Sequence, residues 1–497
     1  MKFHLRIMLT LVLLPLWSTV VLASGLEDKV REHTLANGMK ILMVERHNAP
    51  TVAAWIRFKV GSVNERSDEH GMAHLLEHML FKGTKTLGTK DWDAEKKFLP
   101  LIEETAQALM AERLKREKAD TEKIAALSEK LAKLQEEADK YVVPDVYSEL
   151  YAKNGAVGFN AFTSKDNTAY MVNLPANKLE LWAAVESDRM QNAVLRQFYT
   201  ERNVVMEERR RSYDAEPAGK LWENFMAAAF VIHPYGQPTI GWMSEIENLS
   251  LTQTERFLRA YYAPVNAVVA IIGDIDPEQT IALVEKYFGK IPPGVPVPPV
   301  AVEEPPQVGE RRTEVIGDAE PELFIGFHKP AWPATDDYVF DVLDMLLTHG
   351  KTSRLYQKLV LEKQLATEVS SAAVPGTIYP NLFIISATPR NPHTAREVEE
   401  AIYAELERLK TEPVSERDLQ RIFNNLEATE IRAMASNGGL AYRLTSFEAT
   451  TGSWRNFIER RKQVAKVTPQ EVMRVARTYF TEENRTVGTI KKREETK

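Results

Sequence analysis

Residues 260–272 read AYYAPVNAVVAII, and residues 478–490 read TYFTEENRTVGTI. The two stretches align with Asn266 opposite Asn484, an offset of 218. A second pair, Thr200-Glu201-Arg202-Asn203 and Ser415-Glu416-Arg417-Asp418, aligns at an offset of 215. A near-constant offset between separate anchors is the signature of an internal duplication. A third pair, APTVAAWIRF (49–58) and EPELFIGFHK (320–329), sets Pro50 opposite Pro321 at an offset of 271. Between this anchor and the helix at 200 the first half therefore carries about 56 extra residues.

The extra residues are visible as a change of composition. Residues 93–143 are rich in Lys, Glu, Ala and Leu. Ile124, Leu127, Leu131, Leu134, Ala138 and Tyr141 recur at steps of three and four, the seam of a coiled coil. Phe98, Ile102, Ala106 and Leu109 form a shorter run of the same kind. An inserted antiparallel helical hairpin is expected, with Asp120 or Thr121 capping its second helix and its charged face in solvent. The remainder alternates short apolar strands (40–44, 52–58, 169–174, 268–272) with amphipathic helices (around 70–81 and 178–190). The fold class is α+β: two homologous α/β domains, each a sheet covered by helices. The Pro-rich stretch from Ile291, IPPGVPVPPVAVEEPPQ, cannot form helix or interior strand and reads as a semi-rigid linker. The expected organisation is a leader at 1–23, a first domain at 24–290, the linker at 291–308 and a second domain at 309–497.

The net charge of −7 offers no basic surplus for nucleic acid. Without a single cysteine, disulfides are excluded and any metal site must use His and carboxylates. Lys2 and Arg6 precede an apolar run, Ile7 to Leu22, that ends in Val21-Leu22-Ala23. This is the pattern of a cleavable secretory signal, and it predicts a periplasmic or secreted protein with no stable membrane span after its removal.

The chemistry is concentrated in Glu69-His70-Gly71-Met72-Ala73-His74-Leu75-Leu76-Glu77-His78-Met79-Leu80-Phe81. Met72, Leu75, Leu76, Met79 and Leu80 give it helical periodicity. His74 and His78 are one turn apart, so both imidazoles can face one ion. Two buried histidines beside a glutamate need partners, which a metal supplies and two solvated surface histidines would not require. Glu77 shares their face and can reach a water without ligating. A catalytic zinc takes three protein ligands and leaves a fourth position for water, whose proton a neighbouring carboxylate accepts. H-x-x-E-H is the inverted form of the common zinc-peptidase motif. A third ligand must come from elsewhere. In the segment Phe198 to Arg209, with Thr200 as a helix cap, Glu201 and Glu208 share a face and Glu207 points away. Spacing alone leaves it open whether Glu208 ligates or all three glutamates are solvated.

His74–His78, the following Phe81-Lys82-Gly83-Thr84, and Glu201-Arg202-x-Val204-Val205-x-x-Glu208 together resemble the pitrilysin/insulinase family, which includes the mitochondrial processing peptidases. Gly158-Phe159-Asn160-Ala161-Phe162-Thr163-Ser164 and His233-Pro234-Tyr235 with Gly241 extend the likeness. The resemblance implies a zinc metallopeptidase with one Zn2+ per chain, held by His74, His78 and Glu208, with Glu77 as catalytic base. It implies Glu201 as a carboxylate orienting a ligand histidine, and Asn160 and Ala161 on a strand that pairs with the peptide substrate. It also implies that the two domains form one half-shell of a clamshell. Active members present an Arg and, seven residues later, a Tyr from the facing half-shell; here the matching segment 359–367 has Val360 and Thr367. The expected partner is therefore a homologous, zinc-less subunit that supplies the Arg/Tyr pair. The alternatives are a non-catalytic scaffold subunit of the same fold, and an adaptor whose functional element is the 93–143 hairpin.

Overall fold

The computed structural model describes residues 25–492; the leader expected at 1–23 lies outside them. The first sheet contains β1 (Arg31–Thr34), β2 (Lys40–Glu45), β3 (Thr51–Phe58), β4 (Val157–Thr163), β5 (Thr168–Pro175) and β6 (Ala267–Gly273). Its strand order is β1-β2-β6-β3-β5-β4. The second contains β7 (Arg311–Gly317), β8 (Leu323–Lys329), β9 (Ala366–Val374), β10 (Asn381–Pro389) and β11 (Arg485–Lys492), ordered β7-β11-β8-β10-β9. Exchanging β2, β6, β3, β5 and β4 for β7, β11, β8, β10 and β9 converts one order into the other. The senses agree as well. β2 with β6 and β7 with β11 are parallel, and all the other pairs are antiparallel.

The paired asparagines do the same work in both halves. Asn266 Nδ2 donates to the Tyr261 carbonyl at 3.0 Å, and Asn484 Nδ2 donates to the Tyr479 carbonyl at 2.9 Å. Each thereby satisfies an orphan carbonyl at the end of a helix just before the chain turns into a central strand. Both helices (Leu251–Tyr261 and Pro469–Tyr479) begin with a capping box, from Ser250 with Gln253 and from Thr468 with Glu471.

Four helices of the first half position the site: α1 (Met72–Met79), α2 (Phe98–Arg113), α3 (Thr121–Asp139) and α4 (Phe198–Arg209). α2 and α3 form the hairpin, with the Asp120 side chain accepting from the Lys123 amide to cap α3. At the turn Glu112 accepts from Lys115 Nζ at 2.8 Å and from the Asp120 amide at 3.0 Å, and pairs with Lys123 at 2.9 Å. The seam packs on the domain core through Ile102, Ala106 and Ala138.

The halves also exchange helices. α5 (Pro217–Ala229), from the first half, covers the second sheet: Leu221 and Phe225 lie with Phe324, Ile384 and Ile490 in one buried cluster. α6 (Asn437–Thr451), from the second half, covers the first sheet: Leu440, Ala441 and Leu444 lie with Val268, Ala270 and Ile272. β6 is buried on both faces for this reason, which explains its continuous apolar sequence. The Pro-rich stretch has no helix or strand and is strapped down by side chains. Glu304 accepts three successive amides, Val231, Ile232 and His233, at 2.7, 3.0 and 3.0 Å. Near the site, Asp166, in the loop after β4, accepts from the Tyr235 hydroxyl and from the Thr377 amide of the second half, both at 2.6 Å.

Candidate active site

α1 starts at Gly71, whose φ of 95° is a left-handed conformation. A side chain there would meet the Ile240 carbonyl at 2.4 Å, so the helix entry is pressed against the loop that carries Gly241. Glu65 accepts from the Gly71 amide at 3.0 Å and the Ala73 amide at 2.7 Å, satisfying donors that the helix start leaves free. Met72, Ala73, Leu75, Leu76 and Met79 are buried and fix the helix's rotation. That rotation turns His74, Glu77 and His78 to the opposite side.

The His74 and His78 rings stand 4.8 Å apart between centroids. His74 Nε2 is 3.7 Å from one oxygen of Glu208, and His78 Nε2 is 3.5 Å from the other. Ligand atoms of the three residues lie within 4.8 Å of one another, and no other His/Asp/Glu group among the described residues does this. A tetrahedral zinc with bonds of about 2.0–2.1 Å sets its ligand atoms about 3.4 Å apart. The two nitrogen–oxygen separations are near that edge length and longer than ordinary hydrogen bonds, so the donor set fits zinc. Burial and the neighbouring His78 charge push the His74 imidazole down to about 3, which keeps it neutral, as a ligand must be.

Glu201 and Glu208 project from α4 two turns apart, while Glu207 pairs with Arg210 and faces away. Glu201 bonds His78 Nδ1 at 2.9 Å and Lys82 Nζ at 2.5 Å. Burial alone would raise the Glu201 carboxyl, but the bonds to His78 and Lys82 bring it down to about 2. It is therefore an anion that holds the ring orientation and tautomer of His78. Burial raises Glu77, against a 2.6 Å hydrogen bond from the Thr163 hydroxyl. Thr163 ends β4, the outermost strand of its sheet, whose other edge has no strand partner among the described residues. Asn160 and Ala161 lie on the same strand, beyond an irregularity in its pairing between Val157 and Asn160. A cleft of about 380 Å³ opens beside Glu77, His78 and Asn160.

Three residues to which the sequence assigns no role matter here: Thr163, which holds Glu77; Lys82, which holds Glu201; and Glu65, which caps the start of α1. Lys82 and Thr163 lie in stretches whose family likeness is legible, but neither spacing nor composition tells what each touches. Thr200 is not the cap. The helix begins two residues earlier, after Gln197 in a left-handed conformation, and the Thr200 hydroxyl meets Gln135 of α3 at 3.4 Å. The hairpin grips this helix start further: Gln197 bonds Asp139 at 2.9 Å, Tyr199 bonds Glu103 at 2.5 Å and Arg202 reaches the Met110 sulfur at 3.2 Å. Val360 is buried in the second core, and the Thr367 hydroxyl bonds the Thr388 carbonyl at 3.3 Å.

Residues 40–97 and 145–242 match the sequence model of the family described as Insulinase (Peptidase family M16). Residues 248–426 match the model described as Peptidase M16 inactive domain. The chain is 27% identical over 470 residues to the zinc protease PqqE of Helicobacter pylori, covering 92% of each. It is 25% identical over 458 residues to an uncharacterized zinc protease of Streptomyces coelicolor, covering 90% of this chain and 86% of that one. The crystal structure of a protease from Helicobacter pylori superimposes with a TM-score of 0.78 at 26% identity, over 93% of this chain and 99% of that one. A Pseudomonas fluorescens structure of a peptidase M16 inactive domain, at 16% identity and a TM-score of 0.74 over 94% and 99%, shares the fold.

Proposed function

From the premise that this chain belongs to the insulinase (M16) peptidase family, we propose that it is the zinc-bearing subunit of a metalloendopeptidase that hydrolyses peptides or unfolded polypeptide segments. The observation that carries the reading is the convergence of His74, His78 and Glu208 within 4.8 Å, with Glu77 on the same helix face. One zinc ion bound there would polarise a peptide carbonyl and acidify a water. His74 would supply a neutral nitrogen, His78 would supply a second once the ion displaces the proton that Glu201 and Glu208 favour there, and Glu208 would supply the carboxylate. Glu201, fixed by Lys82, keeps His78 turned toward the ion. Glu77, with a carboxyl raised by burial, accepts the proton of the attacking water and returns it to the leaving amine. Thr163 donates to one Glu77 oxygen and leaves the other for that exchange. Substrate adds as an extended strand along the open edge of β4 at Asn160 and Ala161, which favours unfolded segments over folded ones.

The donors that hold the substrate and stabilise the oxyanion come from a second, homologous subunit, because Val360 and Thr367 stand where Arg and Tyr would be needed and neither can play that part. The chain works outside the inner membrane. The signal-like leader supports this, as does the likeness to an Escherichia coli structure described as the periplasmic protease PqqL. Among the described residues no helix is long and apolar enough to cross a membrane.

The test is Glu77→Gln. It should retain about one zinc per chain by elemental analysis and lose hydrolysis of unfolded substrates. A wild-type chain that hydrolyses nothing, alone or with a homologous subunit, would favour the scaffold reading, to which the Val360/Thr367 departure lends its weight. Full activity as a lone homodimer would refute the division of labour.

A further inference from the structure

The inserted hairpin ends at the cleft. Its two strands of backbone close on each other just before α2 and just after α3: Lys90 N donates to the Tyr141 carbonyl at 2.7 Å, and Val143 N donates to the Gly88 carbonyl at 3.0 Å. This clasp aims the segment that follows, 142–148, into the space beside Glu77 and His78, where it forms one wall. The family match breaks after residue 97 and resumes at residue 145, so the hairpin and the Val142–Pro144 part of the wall lie outside the matched residues, and Asp145 opens the next matched stretch.

The wall has a definite chemistry. Val142, Val143 and Pro144 make an apolar ledge, faced by Phe81. Beyond it Asp145 is exposed at the start of a short helix (Val146–Lys153), its backbone left-handed with φ 52° and its side chain making no capping bond. Among the described residues no cation lies within ion-pair distance of it, whereas the cleft's lysine, Lys82, is already engaged by Glu201. An apolar ledge ending in a free carboxylate matches a side chain with an aliphatic stem and a cationic head.

We propose that the root of the inserted hairpin, Val142–Ser148, is a specificity wall of the substrate cleft, and that it takes a lysine or arginine side chain of an extended peptide. The stem lies along Val142, Val143 and Pro144, and the charged head pairs with Asp145. The hairpin's length then serves to brace this wall and the start of α4 together. The proposal rests on the peptidase reading for the identity of the ligand, but its test does not require turnover.

The experiment uses the zinc-loaded full-length Glu77→Gln chain and three labelled, unstructured peptides, identical except for a single central Arg, norleucine or Glu. Fluorescence anisotropy reads their dissociation constants. The Arg peptide should bind more tightly than the norleucine peptide by about two- to fivefold, the scale of a solvent-exposed ion pair, and the Glu peptide should bind most weakly. Adding Asp145→Asn, which tolerates the left-handed backbone, should abolish the Arg preference, and raising the ionic strength should narrow it. Equal affinities for the three peptides, a preference that survives Asp145→Asn, or no binding at all, with or without a homologous subunit added, would each overturn the proposal. Hydrolysis of the same peptides by the wild-type chain is followed separately. Selective binding without hydrolysis, alone or with a partner, would sink the peptidase reading and leave the wall standing.

Discussion

At the scale of the residue, the site is a chain of dependencies. Lys82 holds Glu201, Glu201 holds His78, and Thr163 holds Glu77. Glu201→Gln should lower zinc affinity by about 10- to 100-fold, the usual effect of removing a carboxylate behind a ligating histidine; competition with a chromogenic chelator measures it. An unchanged affinity would mean that Glu208 and the backbone alone hold the ring. Thr163→Val should leave zinc content intact and reduce kcat by about tenfold, in line with a lost hydrogen bond to a charged group, and steady-state kinetics would show whether KM stays put. The histidines and Glu77 are legible in the sequence because helical spacing alone decides which of them share a face. Thr163 is not, because its partner lies 86 residues away and only sheet pairing brings it near.

At the scale of the element, the hairpin is the part that periodicity reports best, since its apolar steps come from local geometry. Asp120 caps its second helix. Its turn is tied by Glu112, whose carboxyl is brought down to about 2 by hydrogen bonds from Lys115, the Asp120 amide and Lys123. A carboxyl lower in the folded state than in the unfolded one stabilises the fold above its unfolded value and loses that contribution as pH falls through its folded value. Local stability of the turn should therefore fall between about pH 4.5 and pH 2. Hydrogen exchange over residues 112–123, corrected for intrinsic rates, should show protection lost in this window for the wild type and no such pH dependence for Glu112→Gln. Equal profiles for the two would remove Glu112 from the account. The start of α4 shows the opposite case. Thr200 is a good capping residue by type, yet the chain begins its helix at Phe198, because buried Phe198 and Tyr199 pack into the core and the hairpin grips the first turn. Tertiary packing outweighed a preference of about 1 kcal/mol.

At the scale of the whole molecule, the exchange of α5 and α6 makes the two halves one object. Phe225 of α5 sits against the second sheet where Gly326 and Gly488 leave room: a β-carbon at Gly326 would come within 2.7 Å of the ring, and one at Gly488 within 3.0 Å. The ring is fully buried and cannot swing out. Gly326→Ala should cost about 1–3 kcal/mol through overpacking, read as a lower thermal midpoint, and Phe225→Leu in the same chain should recover part of it. A neutral Gly326→Ala would show that the interface yields. Taken alone, the sequence determined the duplication, the inserted hairpin and the face shared by His74, Glu77 and His78, because each is a periodic or spaced pattern that local backbone geometry converts directly into position. Only the tertiary structure decided that Glu208 meets both histidines, that each half covers the other's sheet, and that the hairpin's root walls the cleft. Those contacts join residues far apart in the chain, and their formation depends on how buried surfaces fit together, which no local pattern encodes.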